Sequence, residues 1–168
     1  KVISILTDPP KKITKEQLHN QTEDIDFGYM VHVISACGAP AAKTPFVQEL
    51  ADLWIRGDDP VRQRCGYGFI YELSKSKKKS APTEEAFLDY IQFIDDNYTK
   101  VDKSVLMSMA GALMGIGKRT LKLNQAALKL ANKIGPIPVE TGKTKCEPFD
   151  VTKHLTSDYV VKKLKAQG

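Results

Sequence analysis

The fold is decided by the stretch Asp58-Asp59-Pro60-Val61-Arg62-Gln63-Arg64-Cys65-Gly66-Tyr67-Gly68-Phe69-Ile70-Tyr71-Glu72-Leu73. Asp59 is placed to accept hydrogen bonds from free backbone N–H groups. Pro60 suits a first helical position because its missing N–H costs nothing there. Val61, Cys65, Phe69 and Leu73 recur every fourth residue, which puts them on one side of a helix. Arg64, Tyr67, Tyr71, Lys75 and Lys78 recur at steps of three or four on another side. One helix therefore combines an apolar face for packing with an aromatic and basic face suited to an anion.

The same grammar extends in both directions. Towards the N-terminus, Thr44-Pro45 reads as a cap and proline start, with Phe46, Leu50 and Trp54 inward and Gly57 as the stop. Phe27, Met30, Val31 and Ile34 follow helical spacing up to Gly38-Ala39-Pro40. Thr14 with Gln17 resembles a capping box, and Val2–Leu6 reads as the tail of a helix. Towards the C-terminus, Thr83 with Glu84 and Glu85 opens a helix with negative charge where the helix dipole favours it; Phe87, Ile91, Ile94 and Tyr98 face inward.

Asp102 caps a helix that is apolar nearly all round, through Val105, Leu106, Met109, Leu113 and Ile116. Its small residues Ser104, Ser108, Gly111 and Gly115 predict close packing against a neighbouring helix, the other use of such a stripe being a ligand groove. A further helix turns Leu123, Ala127, Leu130 and Ile134 inward and Lys118, Lys122, Gln125, Lys129 and Lys133 outward. Gly135-Pro136 closes it. The expected organisation is a helical repeat domain over residues 1–135, followed by an irregular tail with one short C-terminal helix over 136–168.

No strand alternation is visible, and helix–turn–helix units recur about every 40 residues. The predicted class is all-α, with stacked helical pairs of the HEAT or armadillo kind; an ordinary helical bundle is the competitor. At 168 residues the chain is long enough to bury a real core.

Net charge is +5 and unevenly placed. From Val101 onward there are 12 Lys and Arg against 5 Asp and Glu, or +7; before it, 13 against 15, or −2. A basic half favours polyanions such as nucleic acid, and solvated helix faces are the bland account of the same charges.

The three cysteines, Cys37, Cys65 and Cys146, are odd in number and widely spaced, against a disulfide scaffold or a zinc site. Cys146 beside Lys143 and Lys145 is either a thiol of lowered pKa or a plain loop cysteine. His19, His32 and His154 show no ligand spacing, so neither a metal nor another cofactor is expected. Gly115-Ile116-Gly117-Lys118 is too short for a phosphate loop and follows a helix instead of a strand. No apolar run approaches the roughly 20 residues of a membrane span, and no signal peptide is visible, so a cytoplasmic protein is expected.

Val61–Ile70, Ala112–Arg119, Asn124 with Ala131–Gly135, and the tail Thr141–Cys146, in that order, resemble the DNA alkylation repair family. Its best-known members are the HEAT-like-repeat alkylpurine DNA glycosylases. The resemblance implies a positively charged concave face for duplex DNA. It also implies a site made of a Trp, an Asp four residues later, an Arg on a later helix and another Trp.

The Arg corresponds to Arg64. The first Trp falls at Gly28 or Tyr29, the Asp at His32 or Val33, and the second Trp near Gly111, so this chain departs from the pattern at the acid and the aromatics. Asp26 and His32 are the remaining candidates beside Arg64 for a catalytic role. Tyr98 and Asp102 repeat an aromatic-x-x-x-Asp spacing, on a helix where the family has none.

The function expected is DNA binding through Arg64, Tyr67, Tyr71, Lys118, Arg119 and Lys122, with both basic faces on one hollow. Glycosylase activity is disfavoured by the missing acid. A protein-interaction scaffold with a protein partner is the alternative.

Overall fold

The computed structural model of the chain describes residues 7–25, 30–36, 38–78, 80–139 and 146–166. Val2–Leu6, Asp26–Tyr29, Cys37 and Thr141–Lys145, which carry several of the expectations above, lie outside the described residues. The helices are α1 (Lys15–Glu23), α2 (Met30–Ser35), α3 (Val47–Ile55), α4 (Pro60–Lys75), α5 (Glu84–Asn97), α6 (Lys103–Ile116), α7 (Leu121–Ile134), α8 (Val151–Leu155) and α9 (Asp158–Lys165), with a short 3-10 turn at Pro40–Lys43. Among the described residues there is no strand; an isolated antiparallel bridge joins Ile137 and Phe149. The chain divides into two compact units, Lys1–Pro82 and Thr83–Gly168.

In the first unit, α4 is the helix against which α2 and α3 pack. Its start is as expected: Asp59 Oδ1 accepts from Arg62 N at 2.8 Å, with Pro60 in the first turn. Two glycines set how closely its neighbours approach. A Cβ on Gly66 would stand 2.7 Å from the Ile55 Cγ2 methyl and 3.2 Å from the Ala51 carbonyl oxygen, both on α3. A Cβ on Gly68 would stand 2.8 Å from Ser35 Cβ on α2. The core that results joins Leu18, Val31, Ile34, Leu50, Trp54, Phe69 and Ile70, with the Trp54 and Phe69 rings stacked at 5.6 Å. Arg62 ties α4 to α1, donating to Thr22 Oγ1 and Glu23 Oε1.

Two helix starts differ from the sequence reading. Thr14 does cap α1, accepting from Gln17 N at 3.0 Å, but the Gln17 side chain turns away to Asp8 Oδ2. Thr44 does not cap α3. Its hydroxyl donates to the Ala41 carbonyl, closing the 3-10 turn, and α3 begins at Val47.

In the second unit, α7 packs on α5, α6 and α8. Thr83, Asp102, Thr120 and Asp150 cap α5, α6, α7 and α8 through their side-chain oxygens. Gly135, at φ +71°, ends α7 in a left-handed conformation that suits glycine. Beyond it, the described residues 136–139 and 146–166 include regular structure. Ile137 and Phe149 exchange backbone hydrogen bonds at 2.9 and 2.8 Å, and two helices follow where one was expected. Gly111 differs from the close-packing expectation, since a Cβ there would meet nothing within 4 Å among the described residues.

Candidate nucleic-acid interface

In the second unit the turn between α6 and α7 presents Lys118 and Arg119. Gly117 precedes them because there is no room for a side chain; a Cβ would stand 2.7 Å from a Leu155 methyl and 2.9 Å from Ala127 Cβ. Asn124, buried in α7, donates to the Gly117 carbonyl at 2.9 Å and more weakly to the Leu155 carbonyl at 3.4 Å. The turn is thereby pinned to both α7 and α8.

Lys163, on α9, reaches the same turn and donates from Nζ to the Lys118 carbonyl at 2.8 Å. Lys118 is half-buried, and burial, followed by the charge of Lys163, lowers its pKa. Among the described residues neither ammonium forms an ion pair with a carboxylate. Two cations therefore share this turn, each without a counter-charge among the described residues. The Arg119 guanidinium lies 4.9 Å over the Phe87 ring, and burial lowers its pKa as well. It remains a cation at any ordinary pH.

The lysine stripe expected along α7 is split. Lys122 stands 3.3 Å from Glu84 Oε1 on α5. Glu84 also accepts from the Thr120 hydroxyl, and that bond is the first cause of its lowered pKa. Lys133 holds both oxygens of Asp95, at 2.9 and 2.6 Å, and its pKa rises accordingly. Lys129 is exposed and makes no ion pair among the described residues. Two of the four α7-side lysines thus already have carboxylate partners.

In the first unit Arg64 is half-buried on α4, facing His32 of α2. Partial burial, then the Arg64 charge, lowers the His32 pKa, so the imidazole is neutral at pH 7. Burial pushes the neighbouring Cys65 thiol up to about 12, against the opposing pull of Arg64 and Ser35.

Tyr67 is in the core at 1% exposure, and its hydroxyl lacks a hydrogen-bond partner among the described residues. Burial raises its pKa. It is not on the outer face that the spacing suggested. Tyr71 is half-buried, and its ring lies under the Lys75 ammonium at 4.6 Å, while Lys75 also pairs with Glu72. Asp26 lies outside the described residues.

The described residues contain no group of three or more His, Cys, Asp or Glu able to hold a metal ion. No helix among them is long and apolar enough to cross a membrane.

The fold is HEAT-like. The chain superposes, with a TM-score of 0.80, on a solved structure described as "a new family of proteins related to the HEAT-like repeat DNA glycosylases with affinity for branched DNA structures". The match covers 97% of this chain and 68% of that one at 16% identity. No protein-family model matches the sequence, and no curated protein matches it. At this identity the HEAT-like architecture is what the two share.

Lys163 is the residue that sequence spacing missed. It is 45 positions from Lys118, and the contact exists only because α8 and α9 fold back beside the α6–α7 turn. The available signal was the Lys-rich end of the last helix, which has a sufficient local explanation in the helix dipole.

Proposed function

We propose that this chain is a DNA-binding HEAT-like repeat protein that takes duplex and branched DNA. The observation carrying the proposal is the α6–α7 turn, where Lys163 Nζ donates to the Lys118 carbonyl, its charge acts on Lys118, and neither lysine has a carboxylate partner among the described residues. Holding like charges together costs free energy in the unbound protein, and a phosphate placed between them relieves it. Arg119 and Lys122 flank the same turn, and Lys122 would exchange Glu84 for a phosphate. In the first unit Arg64 and Tyr71 are the contacts, since Tyr67 is enclosed. The described affinity of the HEAT-like neighbour for branched DNA supports the same reading.

The proposal is for binding without base excision. A glycosidic bond that breaks through a cationic transition state needs a negative charge beside it, often the largest catalytic contribution. His32 is neutral at pH 7 and cannot supply it.

The test is salt dependence. Log affinity for duplex DNA should fall linearly with log salt, with a slope of about −0.9 per phosphate contacted. Lys118→Ala should reduce the slope by about 1, and Lys133→Ala should leave it unchanged because Asp95 already holds that ammonium. Binding that is undetectable at low salt, or indifferent to salt, refutes the proposal and leaves a protein-interaction scaffold as the use of the fold.

A further inference from the structure

The C-terminal helix α9 carries a feature that phosphate binding alone does not use. Val160 and Leu164 are its buried residues, at 1% and 6% exposure. At 100° per residue, Tyr159 and Lys162 fall away from that side and Lys163 on its flank, where it is half-buried. Tyr159 is 74% exposed, more than any other large hydrophobic side chain described. Among the described residues its ring has no aromatic neighbour, no cation over it and no hydrogen bond.

The open ring has a physical cause, visible by contrast with α4. There, Lys75 lies four residues after Tyr71 and places its ammonium 4.6 Å over the Tyr71 ring. Lys163 has the same spacing from Tyr159, so on helical geometry it could cover that ring equally well. It does not, because its Nζ is drawn to the Lys118 carbonyl. The Tyr159 face is left clear; on the helix, the half-buried Lys163 and the exposed Lys162 flank it at steps of four and three residues, and Lys163 meets the Lys118 turn.

We propose that Tyr159 is a stacking platform for an unpaired base, with Lys118, Lys162 and Lys163 holding the phosphates on either side of it. An exposed aromatic ring beside backbone-neutralising cations is the arrangement by which proteins hold single strands. Bases inside a duplex are already stacked on each other, so the platform has no use there. A branch point, a flap or a strand end supplies a base that is free to stack. The surface would thus discriminate branched from continuous DNA, a discrimination that phosphate contacts do not make. The inference rests on the DNA-binding reading and specifies which part of the DNA this helix takes.

The experiment measures binding of the whole chain to two DNAs: a blunt duplex, and the same duplex with a single-stranded arm bearing 2-aminopurine at the first unpaired position. Tyr159 is on the surface, so its variants should fold as the parent does. Tyr159→Ala should weaken binding of the armed DNA roughly 5- to 150-fold, the range that base–aromatic stacking supports, and leave the blunt duplex unchanged. Tyr159→Phe should retain the affinity. Quenching of 2-aminopurine fluorescence on binding should be present with the parent and with Tyr159→Phe, and absent with Tyr159→Ala.

Equal affinity of the parent and Tyr159→Ala for the armed DNA would overturn the platform and leave the DNA-binding proposal standing. Equal weakening on both DNAs would also overturn it, because the ring would then act without regard to unpaired bases. A parent that binds neither DNA at low salt would refute the DNA-binding reading itself.

Discussion

Asn124→Ala removes one side chain from the middle of α7 and tests how the Lys118–Arg119 turn is held. Asn124 is 7% exposed, and its amide supplies a bond to the Gly117 carbonyl at 2.9 Å and a weak one to the Leu155 carbonyl at 3.4 Å. Deletion leaves the Gly117 oxygen buried without that donor, at a cost of about 1–3 kcal/mol. The longer contact adds roughly half a kcal/mol or less. Alanine returns about 0.5 kcal/mol through its better helix propensity. The expected net loss is about 2 kcal/mol, a sizeable part of an ordinary domain's 5–15 kcal/mol.

Urea unfolding followed by far-UV circular dichroism measures the loss, with an unchanged slope expected because the surface exposed on unfolding is the same. Amide hydrogen exchange should accelerate in Gly117–Thr120 and along α7 more than in the first unit. DNA affinity should also fall, although Asn124 is buried and carries no charge, because the turn that presents Lys118 loses its anchor. Stability within about 0.5 kcal/mol of the parent, with unchanged exchange at the turn, would refute the reasoning.

Gly66→Ala should destabilise by about 1–2 kcal/mol, since a Cβ would press on Ile55 and the Ala51 carbonyl and outweigh the helix-propensity gain, whereas Gly111→Ala, with open space around it, should stabilise by about 0.5–1 kcal/mol; thermal unfolding of the two variants checks the opposite signs. The lowered His32 pKa means that the unfolded chain takes up this proton first as pH falls through 6.5, so the His32 contribution is fully present above that pH and is lost below it. His32→Asn should remove that part of the acid-side loss in urea titrations between about pH 7 and pH 5.5. Incubation with 7-methylguanine DNA should release no free base, and Asp26→Asn should change nothing; release that is abolished by Asp26→Asn would show that Asp26 supplies the missing charge.

The helices were legible where one cap and one apolar face specify them. Asp59-Pro60 and Asp102 are local signals, and both caps form as spaced. Tyr67 was misplaced because a four-residue period assigns a helix a single buried side. α4 is packed by α2 and α3 together, so its buried face widens from Cys65, Phe69 and Leu73 to include Gly66, Tyr67 and Ile70. Thr44-Pro45 read as a cap because the competing acceptor, the Ala41 carbonyl, belongs to a turn too short to show periodicity. The last two helices, of 5 and 8 residues, are likewise shorter than a periodic signal needs. The α7 lysines looked equivalent because their spacing contains no record of the α5 carboxylates opposite Lys122 and Lys133.

Cys65 illustrates what enclosure does to reactivity. It is fully covered, and with the pKa pushed up to about 12 almost none of it is thiolate near neutral pH. A thiol reagent can reach it only when the first unit opens, whereas Cys146, in the second unit, is exposed and available at once. With Cys37 replaced by Ser, the slow phase of alkylation becomes a clock for opening of the first unit alone. The chain thus carries its own kinetic reporter, able to separate the breathing of one helical unit from that of the other without any added label.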